Sequence, residues 1–528
     1  MQELINKFIN KKTIFLLVCI LVALHPVIEL DYLFYSFLDQ FGLPRITTII
    51  DLLVLPCLVL LTFLLFEKNK KRVILLFGIY AIVFGIYFIL HCQNADFLQY
   101  NLRLPDRYVF LLSDEVIYTI TLLLPLVYIY VFYYVDITEK VLKYITVTLS
   151  CVTALPIFIS NLFVFGESTY QGYTIDNFLS WFSLPFNNTT HHPRMYATSF
   201  FFEEGNTIGI LMIMVLPFLY YFAYKAVNKK EKVLLSSLIV AHSLAMIILS
   251  TRVATYGTVL VPLAMLAIYI VLIILKYEKF KALYPLFLVI MIVFSGAIIP
   301  FGPAYQNQQI DAMDYGFLKD DDGKRAQAKD EVLRGGEGLE PFSKEWIDYY
   351  AYMFEDYSYL IGVTPPVYYK EWYDYRLDPK FWVDLMFEYE LEERVNGRQI
   401  QTIFTHYKWD PLNNYQKALG MGYGTFMRGS ILLERDFAQQ YFSYGLIGFI
   451  LIMCPWLVVT AYLGIRLILG YKHKQWTYLN VILMMSICVG LLSSYVSGHT
   501  LDELTASLFI ALCAGILFKN LKVKHEQN

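Results

Sequence analysis

The stretch Thr207-Ile-Gly-Ile-Leu-Met-Ile-Met-Val-Leu-Pro-Phe-Leu-Tyr-Tyr-Phe-Ala-Tyr224 contains no charged side chain, and Lys225, Lys229, Lys230 and Lys232 follow it directly. A helix needs roughly 20 residues to cross a hydrocarbon core about 30 Å thick, and lysines at its end hold it at the surface. The next two apolar runs, 233–250 and 256–275, are separated by only a few residues that include Arg252, which predicts a tight helical hairpin. Reading outward in the same way places further spans near 13–30, 47–66, 73–91, 116–135, 144–165, 282–300, 438–465, 477–496 and 504–518, twelve in all. The expected fold is therefore an all-α polytopic membrane protein. The first run follows Lys11-Lys12 but lacks a small-residue cleavage pattern, so it reads as a retained helix rather than a signal peptide.

Composition agrees. Of 528 residues 57% are hydrophobic and only 16% charged, with a mean hydropathy of +0.50, whereas soluble domains carry about a quarter charged residues. A net charge of -3, segregated loop by loop, gives no basis for a nucleic-acid partner. The seven cysteines (Cys19, Cys57, Cys92, Cys151, Cys454, Cys488, Cys513) fall in or at the ends of apolar runs, so neither a disulfide scaffold nor a zinc site is implied.

Lysine and arginine placement sets the expected orientation. With the amino terminus cytoplasmic, the inside segments carry 22 of the basic residues and the short outside loops five: Arg45, Arg103, Arg107, Arg194 and Arg252. Both termini are then cytoplasmic in a plasma-membrane protein, and the large loop is extracellular. That loop defines three parts: a membrane domain over 1–301, a loop domain over 302–436, and a second membrane domain with a cytoplasmic tail over 437–528. At about 130 residues the loop is too long to be a connection. Its Tyr and Trp density, as in Trp346-Ile-Asp-Tyr-Tyr-Ala-Tyr, suits either sugar-stacking platforms or a small core with an interfacial belt, within a mostly helical domain. Asp320-Asp-Asp-Gly-Lys324 reads as a flexible turn.

The short outside loops use arginine and no lysine. Arginine binds phosphate through two parallel donors and keeps its charge, although an arginine at that depth also serves simply as a snorkelling interface residue. Arg252, at a hairpin tip between two apolar spans, needs a partner or a cavity. Glu203-Glu204-Gly205-Asn206 reads as a helix start capped by Asn206, and Thr500-Leu-Asp-Glu503 as a capping box. Adjacent His191-His192 do not share a helix face and no third ligand is in view, so no metal site is expected. Glu434-Arg435-Asp436 closes the loop and enters a span: a general base beside a phosphate clamp, or a charged boundary capped by Asp436.

Several of these segments together resemble the O-antigen ligase and polymerase superfamily. The matching segments are Arg194-Met-Tyr-Ala-Thr-Ser-Phe-Phe-Phe-Glu-Glu-Gly-Asn206, Ser250-Thr-Arg252, Asn396-Gly-Arg398, Gly420-Met-Gly422-Tyr-Gly424, and Glu434-Arg-Asp436 followed by Tyr444-Gly445-Leu-Ile-Gly448. Gly498-His499 stands where a short outer-loop motif is expected. The chain departs from lipid A-core ligases in holding Glu434 where they carry a histidine eleven residues before the first glycine, and this favours the polymerase side. Glu-Gly-Asn in place of the family's Asn-Pro-Asn is a smaller departure.

The resemblance implies a GT-C-like glycosyltransferase that polymerises undecaprenyl-diphosphate-linked oligosaccharide repeats, with no metal or cofactor. Flippase and chain-length regulator proteins are implied partners. It assigns Arg194, Arg252 and Arg398 to the diphosphate, Glu434 to proton acceptance or hydroxyl orientation, and Arg435 and His499 to substrate binding. A ligase passing finished polymer to a wall or protein acceptor remains open. A transporter or flippase of lipid-linked sugars would show inverted repeats and broken membrane helices, neither of which is evident in the sequence. Arg45 lies outside the resemblance and is expected to tolerate lysine.

Overall fold

The computed structural model describes residues 10–100, 110–169, 197–319, 322–361, 366, 368–423, 433–473 and 475–523. Among them, twelve helices are long and apolar enough to cross a membrane: Lys11–Gln40, Ile46–Phe66, Lys70–Gln99, Leu112–Tyr134, Glu139–Phe163, Gly205–Lys225, Lys229–Ile248, Arg252–Ile274, Leu283–Phe301, Asp436–Leu469, Tyr478–Val496 and Leu504–Lys522. The chain is an all-α multi-pass membrane protein. Its only described strands, Glu167–Ser168 and Thr198–Phe200, form one short antiparallel pair. The Asn161 amide pins that pair by exchanging hydrogen bonds with the Thr198 backbone at 2.8 and 3.0 Å.

Two compact units divide the chain. The first comprises residues 1–76, 119–307 and 455–528. Its axis is the sixth span, Gly205–Lys225, whose most apolar stretch is completely buried against the fifth, seventh, eighth, eleventh and twelfth spans. Lipid is as apolar as leucine, so close backbone approach and interhelical hydrogen bonds must supply the cohesion. Both are present. A Cβ at Gly209 would lie 2.7 Å from the Thr251 hydroxyl, and one at Gly490 would meet Ile510 and Met214. His242 bridges helices, hydrogen bonding Ser150 at 2.8 Å and the Met212 carbonyl at 3.0 Å. The expected hairpin is present: Leu249-Ser250-Thr251 joins the seventh and eighth spans, with Ser250 at φ 73°. Thr251 caps the eighth span through the Ala254 N–H, and Arg252 is its first helical residue.

The second unit comprises residues 77–118 and 308–454. The aromatic residues of the long segment are mostly its core. Trp346, Tyr350, Phe354, Tyr373, Phe381, Trp382 and Phe404 are buried together, and the Trp382 indole N–H donates to the Tyr373 carbonyl at 2.9 Å. The flexible-turn reading of Asp320–Lys324 does not hold for Asp322–Lys324, which are helical. Asp320 and Asp321 lie outside the described residues, while Asp322 opens the helix Asp322–Gly335. Asp322 accepts from Arg394, which is wholly buried and also donates to the Leu360 carbonyl.

The tenth span is interrupted. Gly445 adopts φ 67° and ψ -176° inside Asp436–Ile452, and a second helix, Cys454–Leu469, completes the crossing. Only glycine fits here, because a Cβ would fall 2.4 Å from the Gly420 nitrogen and 2.6 Å from the Ala418 carbonyl carbon. The carbonyls that the break would orphan are taken up: Met421 N–H donates to Phe442 O at 3.0 Å and Gly422 N–H to Ser443 O at 2.9 Å. A broken membrane helix is thus present where none was expected, so the lack of one cannot argue against transport.

Candidate functional site

The entry to the tenth span is built by one helix and one turn of the second unit. Asn396 caps the helix Gly397–Trp409 by accepting from the Arg398 N–H at 3.1 Å, which places Arg398 and Gln401 one turn apart on one face. Both reach Glu434. Arg398 Nε donates to Glu434 Oε2 at 3.3 Å, Gln401 Nε2 donates to Oε1 at 3.1 Å, and the Glu434 N–H returns a bond to Gln401 Oε1 at 3.0 Å. The carboxylate is therefore fixed in position yet keeps about a third of its side chain exposed (34%), as does Arg398 (36%). A held, accessible carboxylate can accept a proton or orient a hydroxyl, and Nε bonding sets the plane of the guanidinium. Arg435 occupies the N-cap position with its backbone extended, so Asp436 is the first helical residue and not the cap that was expected.

The same unit also carries a buried polar knot. His91, on the third span, hydrogen bonds the Leu419 carbonyl at 2.7 Å and Glu115 of the fourth span at 2.9 Å. Glu115 also accepts from the Tyr423 N–H at 3.1 Å, and the Asn94 amide donates to the Gly420 carbonyl at 2.7 Å. The Gly420–Tyr423 turn is thus held by side chains that sequence reading did not single out.

In the first unit, Arg252 is exposed at the start of the eighth span. His499 follows Gly498 with both residues at positive φ, 53° and 74°. Its carbonyl accepts from Thr207 Oγ1 at 2.7 Å and its Nδ1 lies 3.3 Å from Asp502 Oδ2. The capping readings shift here too. The sixth span starts at Gly205 with Glu204 as N-cap, which puts Asn206 inside the helix, and the last span starts at Leu504, beyond Thr500. Burial, then the carboxylates of Asp502, Glu203, Glu29 and Glu204, push the partly exposed Glu503 carboxyl well above its usual range.

Arg45 is the residue sequence reasoning undervalued. It donates to Asp31 through Nε (3.2 Å) and Nη2 (3.0 Å) and to Glu203 through Nη1. Burial opposes its charge, but Glu203 and Asp31 outweigh that and raise its pKa further. No local signal announces these partners, since Glu203 is 158 positions away in the chain. Arg194 and His191-His192 lie outside the described residues. A cavity of about 970 Å³ lined by Tyr221, Lys225, Glu278, Tyr471 and Lys519 sits at the lysine-rich loops of the first unit.

A family model described as O-antigen ligase like membrane protein matches residues 9–524, nearly the whole chain. The chain belongs to this family. No curated protein matches it, and no solved structure does. Membership of the O-antigen ligase-like family supports a polysaccharide-related ligase or polymerase role for this multi-pass membrane protein.

Proposed function

We propose that this O-antigen ligase-like protein is a GT-C-type glycosyltransferase that polymerises undecaprenyl-diphosphate-linked oligosaccharide repeats at the outer face of the plasma membrane. The product would be a capsular, exopolysaccharide or O-antigen-like polymer. The observation that carries this reading is the Glu434 carboxylate, held by Arg398 and Gln401 where a lipid A-core ligase would carry histidine. In the reaction a hydroxyl oxygen of one lipid-linked unit bonds to the anomeric carbon of the growing chain. The carbon–oxygen bond to diphosphate breaks, and its electron pair leaves with undecaprenyl diphosphate. The hydroxyl proton passes to Glu434. Arg398, Arg252 and Arg194 stabilise the charge that develops on the diphosphate, Arg435 and His499 contact substrate, and membrane lipid surrounds the donor chain. Flippase and chain-length regulator proteins are the expected partners, the one delivering repeats and the other setting polymer length.

The outward placement of the site rests on the excess of lysine and arginine in the opposite, cytoplasmic segments, 22 against five in the short outside loops. The test of function is deletion of the gene followed by measurement of glycan chain length. Single repeats left on lipid support the polymerase, whereas long polymer left on lipid would overturn it in favour of a ligase serving a wall or protein acceptor. Normal polymer correctly attached would remove both readings.

A further inference from the structure

The cavity of about 970 Å³ in the first unit lies at the other end of the spans from Arg252 and His499. Arg252 opens the eighth span, and the cavity residues Lys276 and Glu278 follow that span's last residue, Ile274. His499 precedes the twelfth span, and Lys519 stands in its last turn. The 23 residues of the eighth span rise about 35 Å, so the cavity is a membrane's thickness away and takes no part in the chemistry proposed above. Tyr221, Tyr478 and Asn480 form its floor, exposing no more than 3% each, whereas Lys225, Lys276 and Glu139 are exposed at its rim. It is an open recess of the size that takes a small molecule or a headgroup.

Three lysines line this space against two carboxylates. Both carboxylates are engaged: Glu278 accepts from the Tyr224 hydroxyl at 2.8 Å and from Lys225 at 3.4 Å, and Glu139 accepts from the Tyr221 hydroxyl at 2.9 Å. Lys519 pairs outward with the exposed Asp136. Of the charged lining residues only the Lys276 side chain has no ion pair or hydrogen bond among the described residues. Its backbone is unusual too. Lys276 N–H donates to Ile273 O at 2.9 Å and Tyr277 N–H to Leu272 O at 2.8 Å, with Lys276 at φ 60°. Glycine is the usual occupant of that position after a helix, so the chain keeps a cation where the turn favours no side chain. The first turn of the 19-residue eleventh span forms another wall, which brings the positive end of a helix dipole to the same space. A smaller cavity of about 250 Å³ adjoins, sharing Leu479 and Lys519 and walled by Phe132, Leu142 and Ile516.

We propose that this recess binds a phosphate group, with Lys276 as its principal contact and Lys225 and Lys519 beside it. Lysine holds phosphate as a point charge, and basic recesses between spans at the lysine-rich side of a membrane take anionic headgroups. The adjoining apolar cavity gives a lipid chain a place against Phe132 and Ile516, so an anionic phospholipid fits both spaces; a soluble phosphate compound would use the first alone. The site is independent of the polymerase reading, because it shares no residue with that chemistry.

The test titrates the full-length protein in neutral detergent with dioleoylphosphatidylglycerol in one arm and inorganic phosphate in the other, reading bound ligand by native mass spectrometry and Tm. Lys276→Gly removes the charge while relaxing the left-handed backbone, so the Tm without ligand should hold or rise as affinity falls about fivefold. Lys276→Gln should lose the same affinity, and Lys276→Arg, which keeps the charge, should retain it. Lys68→Gln, on a lysine-rich segment outside the cavity, should change nothing. Lipid binding that depends on Lys276 and is not displaced by inorganic phosphate supports the site with a membrane lipid as its source. Inorganic phosphate binding with the same dependence supports it with a soluble source. A folded wild type that binds neither probe overturns the proposal. So does wild-type affinity in both Lys276→Gly and Lys276→Gln, or an equal loss in Lys68→Gln, which would make the binding a general property of the basic surface.

Discussion

Replacing Glu434 with glutamine separates the holding of this side chain from the transfer of a proton to it. Glutamine has the same length, so an oxygen can still accept from Gln401, and the backbone N–H still donates to Gln401 Oε1 at 3.0 Å. What is lost is the charge facing Arg398 Nε at 3.3 Å, in a pair exposing 36% and 34% of its two side chains. Pairs screened to that degree contribute about 0.2–1 kcal/mol, so stability and membrane abundance should barely change. A positioned carboxylate that takes a proton in the transition state contributes roughly 10²–10⁴-fold, or about 3–5 kcal/mol of barrier. Polymer formation should therefore fall at least about a hundredfold while the protein stays inserted. The assay is chain length and polymer yield in a deletion strain complemented at matched membrane levels, with Tm of the purified variant as the stability control. Arg398→Lys should also impair polymer, since an ammonium can neutralise Glu434 but cannot present two donors in one plane. Because the two residues touch, the double variant should lose less than the two single losses combined. Wild-type polymer from Glu434→Gln, or a fall in abundance that matches the fall in polymer, refutes the reasoning.

Asp384 gives a pH prediction: burial holds its carboxyl at about 6 against an ordinary 3.8, with the Lys380 ion pair at 2.5 Å only partly offsetting that. The fold binds this proton more tightly than the unfolded chain does, so its stability falls as pH rises from about 4 through 6, by about 3 kcal/mol in total. Asp384→Asn should flatten that slope and raise Tm at pH 7, read by fluorescence of the buried Trp346 and Trp382; an unchanged slope would show that another group titrates. Gly445→Ala should prevent folded accumulation, because its Cβ would press on the Gly420 backbone at a φ of 67°; normal membrane levels would mean that the broken helix is misplaced. Arg45→Lys, which loses the fork onto Asp31 and Glu203, should lower Tm and abundance, whereas Arg252→Lys should leave both intact and lose most polymer; the reverse pattern would exchange their roles. In a cysteine-free background an impermeant thiol reagent should label Glu337→Cys and not Asn228→Cys in intact cells, and labelling of position 228 would invert the topology.

The twelve spans were legible because lipid imposes a one-dimensional rule: a crossing helix must be apolar for its whole length, and that shows in any window of sequence. Boundaries were less so. Asn206 and Asp436 have the right chemistry for caps, but the helices begin at Gly205 and Asp436 because the preceding turn, not the side chain, fixes where the helical backbone starts. The break at Gly445 was hidden for a different reason. Tyr444-Gly-Leu-Ile-Gly448 is compatible with an unbroken helix, and what forces it open is contact with Gly420, a residue in another part of the chain. Aromatic density in the long segment was equally ambiguous, since a sugar platform and a hydrophobic core use the same residues and only burial distinguishes them.

Arginine and glutamine show the limit most clearly. Sequence reasoning can say that a charge at the edge of an apolar run demands a partner, but it cannot name one that lies 158 positions away, as Glu203 does from Arg45. The structure supplies partners for Arg45, for Arg398 and for the buried Arg394, so the demand is met within the chain. Gln439 and Gln440 break the pattern. They are neutral, hence inconspicuous in a charge-based reading, and their carboxamide oxygens stand with the Thr255, Ser295 and Ser494 hydroxyls among the buried polar atoms of the described residues that lack a hydrogen bond. A cation already paired inside the fold must give up a bond to hold substrate, whereas an unmatched acceptor gains one.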